Sequence, residues 1–134
     1  MVILGSCAGQ RKLTLDPKVT FNSERSLASG EDSIQYELVI MDPGFEPWFE
    51  THRKPEWYYS VDYLRQWNIQ YVSAWNYNFR NRQFHLNHPD NPFDQEIDYS
   101  PRIDYGLTLN WKLYHYFLYI EDTWGKILPY DRRN

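Results

Sequence analysis

Apolar residues along this chain switch between a period of two and a period near 3.6, and the switches mark out its elements. Ile34-Gln35-Tyr36-Glu37-Leu38-Val39-Ile40-Met41 alternates in part, is rich in β-formers and stops at Asp42-Pro43-Gly44, so it predicts a strand closed by a turn. Glu46-Pro47-Trp48-Phe49 then reads as the start of a short helix, with Pro47 at its first position, Trp48 and Phe49 turned inward, and an end before Pro55. Ser60 is placed to cap a long helix over 60–81. Asp62 suits its first turn, and Leu64, Trp67, Tyr71, Trp75 and Phe79 recur at helical spacings. A strand competes for part of this stretch, because Ile69, Tyr71, Ser73, Trp75, Tyr77 and Phe79 also alternate. The helical stripe is longer and begins from a cap, which favours helix.

Residues 85–106 hold Pro89, Pro92 and Pro101 among many Asp and Asn, the composition of an extended, turn-rich connection. Phe93, Ile97, Tyr99, Ile103 and Tyr105 give it the means to pack across the surface. A last helix is predicted over 107–124, with Trp111, Tyr114, Phe117, Leu118, Ile120 and Trp124 as its buried face and Gly125 as its terminator. Ile127-Leu128-Pro129 follows as an edge strand to partner residues 34–41. The fold class that results is α+β: two main helices plus a short helix packed on a small sheet, in a single globular domain over 34–130.

Ahead of that domain, residues 8–33 mix Gly, Ser, Gln and charged residues with isolated apolar ones, the composition of a flexible tether. Leu13, Leu15, Val19 and Phe21 alternate within it, so a short edge strand is the alternative there. Before the tether stands Leu4-Gly5-Ser6-Cys7, a small-residue pair ending in the only cysteine, as at a bacterial lipoprotein cleavage site. On that reading residues 1–7 are the remnant of a lipoprotein signal, Met1-Val2-Ile3-Leu4 closes its apolar region, and Cys7 carries a lipid that anchors the chain to a membrane. If Met1 is instead the true start, Cys7 is an ordinary thiol in a cytoplasmic protein.

Composition adds two things. Among 134 residues there are 6 Trp, 12 Tyr and 7 Phe, so the core must be largely aromatic, and its Tyr and Trp polar handles need partners wherever they are buried. A net charge of -4 with no basic stripe argues against nucleic acid as a partner. Asp131-Arg132-Arg133-Asn134 is a small cationic run of the kind that is usually solvated.

Three segments together carry a resemblance. They are Tyr36 to Glu46 with Trp48; Trp67-Asn68 with Tyr71-Val72 and Trp75-Asn76; and Ile97-Asp98-Tyr99 through Asp104-Tyr105-Gly106-Leu107 to Leu113-Tyr114 and Tyr116-Phe117. In this order they resemble a family of small, uncharacterised lipoproteins from Bacteroidota, known as a domain of unknown function. The resemblance implies an anchored envelope protein and carries over no activity or catalytic residue. Surface-exposed lipoproteins of such bacteria often bear acidic residues after the cysteine. Ala8-Gly9-Gln10-Arg11-Lys12 departs from that, favouring a periplasm-facing anchor.

Candidate chemistry is sparse. His85-Leu86-Asn87-His88-Pro89-Asp90, even with Asp94 and with His52 or His115 from elsewhere in the chain, falls short of a zinc set, and 90–96 lacks the glycine and spacing of a calcium loop. No metal or cofactor is expected. Asp42, Glu46, Asp98 and Asp104 sit among aromatics as paired carboxylates of a glycosidase would, which makes a small periplasmic hydrolase of envelope carbohydrate the alternative function. The favoured function is non-catalytic binding or a structural role. Faces of Trp67 and Trp75 rimmed by Asn68, Asn76, Arg80 and Arg82, with Asp98 and Asp104 nearby, would receive an envelope glycan or a partner protein. The competing assignment gives Asn68 and Asn76 to backbone hydrogen bonds in the core and pairs the arginines with Asp98 or Asp104.

Overall fold

A computed structural model describes residues 13–21 and 34–132, and its fold is mixed but rich in helix. Strand β1, Leu13–Phe21, pairs antiparallel with β2, Ile34–Ile40, in the register Leu13 opposite Ile40 and Phe21 opposite Ile34. The pairing shifts between Asp16 and Thr20, around Pro17, which has no N–H to give to a ladder. The segment whose composition reads as a tether thus contains a strand. Residues 8–12 and 22–33, the rest of that segment, lie outside the described residues, as does Cys7. The sheet is a two-stranded ribbon rather than a layer that carries the helices. Among the residues whose side chains are described, Tyr36, Leu38 and Ile40, alternate residues of β2, pack half-buried against the core.

Asp42-Pro43-Gly44 turns the chain as predicted. Asp42 Oδ1 accepts the Gly44 N–H at 3.0 Å, and its carbonyl accepts the Phe45 N–H at 3.0 Å. Helix α1, Phe45–His52, begins there, two residues earlier than Pro47 suggests, and buries Phe45 with Phe49. Trp48, expected inward, is half-buried, and its Nε1 donates to Asp122 at 2.8 Å.

A 3-10 turn, Glu56–Tyr58, leads to helix α2, Val61–Arg80. Ser60 caps it, its Oγ accepting the Tyr63 N–H at 3.1 Å. The helical stripe wins over the alternating pattern: Leu64, Tyr71 and Trp75 are fully buried, and Trp67 and Phe79 pack half-buried beside them. Asn81 ends α2 and caps α3, Arg82–Asn87, by accepting the Phe84 N–H at 3.1 Å.

Residues 88–106 are irregular and packed, with Phe93, Ile97 and Tyr99 buried. The run ends at Gly106, whose φ of +86° is costly for any residue with a Cβ and is stabilised by Asp104 Oδ1 accepting its N–H at 3.0 Å. Helix α4, Leu107–Thr123, follows. The predicted single apolar face understates it: Leu109, Leu113, Tyr116 and Tyr119 are buried besides the expected Trp111, Tyr114, Phe117 and Ile120, while Leu118 and Trp124 are only half-buried. A helix enclosed on most sides is the central element of its fold. Its end is closed by the Ile120 carbonyl, which accepts both Trp124 and Gly125 N–H groups. Ile127 and Leu128 then enter the core without forming the expected edge strand.

Helices α2 and α4 meet through rings. Tyr71 stacks on Phe117 with centroids 4.9 Å apart and Trp75 lies 6.1 Å from the same ring, while Phe93 of the connection meets Trp75 edge to face at 4.8 Å. Such pairs contribute about 0.5–1.5 kcal/mol each beyond their area.

Candidate functional site

Trp75, Asn68 and Asn76, expected to form part of a binding face, are engaged in hydrogen bonds that fasten the core. Asn68 is fully buried and donates from Nδ2 to the Asn110 carbonyl at 2.9 Å and to Asn110 Oδ1 at 3.1 Å. The same Oδ1 takes the Tyr99 hydroxyl at 2.7 Å. Asn76 imitates a strand partner: its Nδ2 donates to the Ile97 carbonyl at 3.0 Å and its Oδ1 accepts the Ile97 N–H at 2.9 Å. Trp75, one residue away, donates from Nε1 to the Gln95 carbonyl at 2.9 Å. Arg80 pairs with Glu96 and not with Asp98 or Asp104; Asp104 serves the Gly106 turn, and Asp98 is exposed on the packed connection. These residues therefore do not converge on a ligand surface. Trp67 alone of the set belongs to a second cluster, described below.

The carboxylates and histidines are similarly engaged. Asp42 accepts from Gly44 and, at 3.2 Å, from the Tyr119 hydroxyl, and Glu46 pairs with Lys112 at 3.0 Å. The His85 Nε2 lies 2.8 Å from the Phe79 carbonyl, and His88 stacks on Phe84 at 4.4 Å. Among the described residues no three His, Cys, Asp or Glu side chains gather as metal ligands would.

His115 is buried between α4 and the segment after α1. Its Nδ1 donates to the Trp111 carbonyl at 2.8 Å, which leaves Nε2 to accept the Lys54 N–H at 3.1 Å; Trp111 Nε1 donates to the Lys54 carbonyl at 2.7 Å. Helix α4 thus grips both backbone groups of Lys54, and it needs a neutral imidazole to do so. Burial holds the His115 pKa below the usual histidine value, with Arg53 and Lys54 acting in the same direction and the Trp111 bond opposing.

The candidate binding surface lies on the face of α2 that the apolar stripe leaves outside. A groove of about 840 Å³ runs between α2 and residues 126–130. Ile69, Ala74, Phe84 and Leu128 supply its apolar wall, and Gln70, Ser73 and Asn78 line it with amide and hydroxyl groups. Tyr77 and Tyr130 stand exposed at it, and the Tyr130 hydroxyl donates to Gln70. Volume and mixed lining are those of a small-ligand site. The sequence signal for it lay in the alternation of Ile69, Tyr71, Ser73, Trp75, Tyr77 and Phe79, whose members Ile69, Ser73 and Tyr77 stand one turn apart and mark a second, partly apolar helix face.

A second cluster surrounds Arg132, which is half-buried rather than solvated. Its guanidinium donates to the Tyr114 hydroxyl at 2.6 Å, Tyr63 at 2.9 Å and Tyr71 at 3.2 Å, and lies 4.0 Å from the centroid of the Trp67 ring. Tyr71 passes the chain of bonds on, donating to Glu121 Oε1 at 2.8 Å. Burial raises the Tyr71 and Tyr114 hydroxyl pKa values above the usual phenol value, so both remain protonated.

With the groove and the cluster defined, comparison with known proteins places the chain. It belongs to the DUF6146 family. The family is described as one of unknown function, and its model matches residues 1–129, a span that holds the whole of α2 and α4 and stops short of Arg132. No curated protein and no solved structure matches the chain.

Because the folded state depresses the His115 pKa, the unfolded chain binds more protons between that depressed value and the ordinary one of about 6.5. The His115 contribution to stability is therefore complete above about pH 6.5 and is lost as pH falls through that window. Thermal unfolding of the wild type should lose more stability between pH 7.5 and 5 than His115→Gln, whose side chain keeps an acceptor and cannot be protonated. Equal losses would show that His115 does not titrate on unfolding.

Proposed function

We propose that this chain is a lipoprotein of the Bacteroidota envelope, anchored through Cys7 and facing the periplasm, whose domain binds a small amphipathic ligand without transforming it. The groove between α2 and residues 126–130 carries the binding part of this reading. Its walls offer an apolar bed beside a row of amide and hydroxyl groups, with the exposed Tyr77 and Tyr130 rings suited to stacking on the faces of a sugar. A glycolipid-like molecule, with an alkyl body and a sugar head, matches both halves. The groove's titratable groups are Lys126, Tyr77 and Tyr130, and Lys126 is paired with Asp131, which fits binding rather than acid-base chemistry. The anchor part rests on Leu4-Gly5-Ser6-Cys7 and on the residues after it. Among the described residues no helix is long and apolar enough to cross a membrane.

Octyl glucoside, held below its micelle-forming concentration, is the probe for the groove. It should shift the amide resonances of Ile69, Ser73, Tyr77 and Leu128 saturably, and more tightly than glucose or octanoate alone. Ser73→Trp, which fills an exposed position of the groove, should abolish the shifts and leave the unfolding temperature unchanged. Shifts that are absent, or that survive this substitution, would refute the site.

The anchor is tested separately, by labelled fatty-acid incorporation and membrane fractionation in cells expressing the protein from its own gene. Wild type should take up label and sediment with membranes, and Cys7→Ala should do neither. Label that is absent, or equal in both, would return Cys7 to an ordinary thiol.

A further inference from the structure

The rings around Arg132 enclose it more completely than fastening an exposed segment requires. Tyr63, Trp67 and Tyr71 stand one turn apart on α2, and Tyr114 faces them from α4. These rings hold one another in place without Arg132. Tyr63 packs edge to face on Tyr114 with centroids 5.9 Å apart, Tyr59 stacks on Tyr63 at 4.8 Å, and Tyr71 is fixed by its stack on Phe117. The enclosure is therefore built by the two main helices and is organised before its occupant arrives.

Its chemistry is specific to a guanidinium. A planar cation over the Trp67 ring gains cation–π attraction, and its separate N–H groups reach the hydroxyls of Tyr63, Tyr71 and Tyr114 in different directions. A compact ammonium would have to give up the stacking or some of the hydroxyls. Glu121, behind Tyr71, completes the site with a negative charge. The occupant reaches the cage on an irregular segment: Ile127 and Leu128 are buried in the core, and Pro129, Tyr130 and Asp131 after them are exposed.

We propose that Tyr63, Trp67, Tyr71 and Tyr114 form a guanidinium-binding site, which Arg132 occupies as an internal ligand and which accepts a guanidinium from another molecule when the Arg132 side chain swings out on the exposed residues that precede it. An internal ligand acts at an effective concentration in the millimolar range, so an external one competes with it and the site is closed to weak solutes. The proposal does not depend on what the groove binds.

The test uses the full chain with Arg132→Ala, which empties the cage, and methylguanidinium at millimolar concentration and constant ionic strength. Methylguanidinium should quench or shift Trp fluorescence saturably in the variant, raise its unfolding temperature toward that of wild type, and leave wild type unaffected over the same range. Methylammonium should do neither. N-acetyl-arginine amide, run in parallel, separates two sources of the group: binding of both probes assigns the site to arginine side chains as well as small solutes, and binding of methylguanidinium alone assigns it to small solutes. No saturable response to either probe, with the helical circular dichroism intact, would overturn the proposal. Should Arg132→Ala fail to fold, Arg132→Lys keeps the stem and the charge, and methylguanidinium should displace its ammonium with the same optical response; no response there would overturn the proposal equally.

Discussion

The constraint on which the structure depends is that most of the buried rings among its described residues belong to Tyr or Trp and carry a polar atom that is costly to bury unpaired. A leucine core can close on itself. A core of Tyr and Trp cannot, because each hydroxyl or indole N–H left without a partner costs about 1–3 kcal/mol. Here the pairs largely join the two main helices to the segments packed on them. Trp75 reaches the Gln95 carbonyl, Trp111 the Lys54 carbonyl, Tyr99 the Asn110 amide and Tyr119 the Asp42 carboxylate. Packing and hydrogen bonding thereby become one problem. The rings choose which loops lie against the helices, and the loops satisfy the rings.

This arrangement explains how a connection as long as 88–106 can be ordered without secondary structure. Phe93, Ile97 and Tyr99 bury apolar surface, while Asn76 and Trp75 supply hydrogen bonds that a neighbouring strand would otherwise give. It also accounts for where the proposed sites lie. With the inner faces of α2 and α4 committed to the core, open chemistry remains at the outer face of α2, where the groove lies, and at the rim where Tyr63 and Trp67 are half-buried around Arg132. Residues 126–132 link the two places, since 126–130 line the groove and Arg132 sits in the cage.

The elements that local signals specify were legible. Ser60 and the stripe from Leu64 to Phe79 determine α2, and Asp42-Pro43-Gly44 determines the turn, whereas β1 was read first as tether because its alternation at Leu13, Leu15, Val19 and Phe21 lies inside a segment of tether-like composition. What depended on distant partners was not legible. Asn68 and Asn76 looked like rim residues because Asn110 and Ile97, which engage them, lie 42 and 21 positions away. Arg132 looked solvated because its partners are on α2 and α4. The burial of α4 was underestimated for a related reason: a helix packed by α1, α2, β2 and the 3-10 turn loses the polar face that would have set off its apolar one.

Native-state hydrogen exchange in Asn76→Ala tests most directly whether polar handles, and not apolar packing alone, hold the connection in place. The account predicts that the Ile97 amide and its neighbours across 93–99 lose protection by at least tenfold, while amides in the middle of α2 and α4 exchange at wild-type rates; tenfold corresponds to about 1.4 kcal/mol, the scale of one such bond. Unchanged protection over 93–99 would contradict it, and would mean that the buried rings order the loop by packing alone.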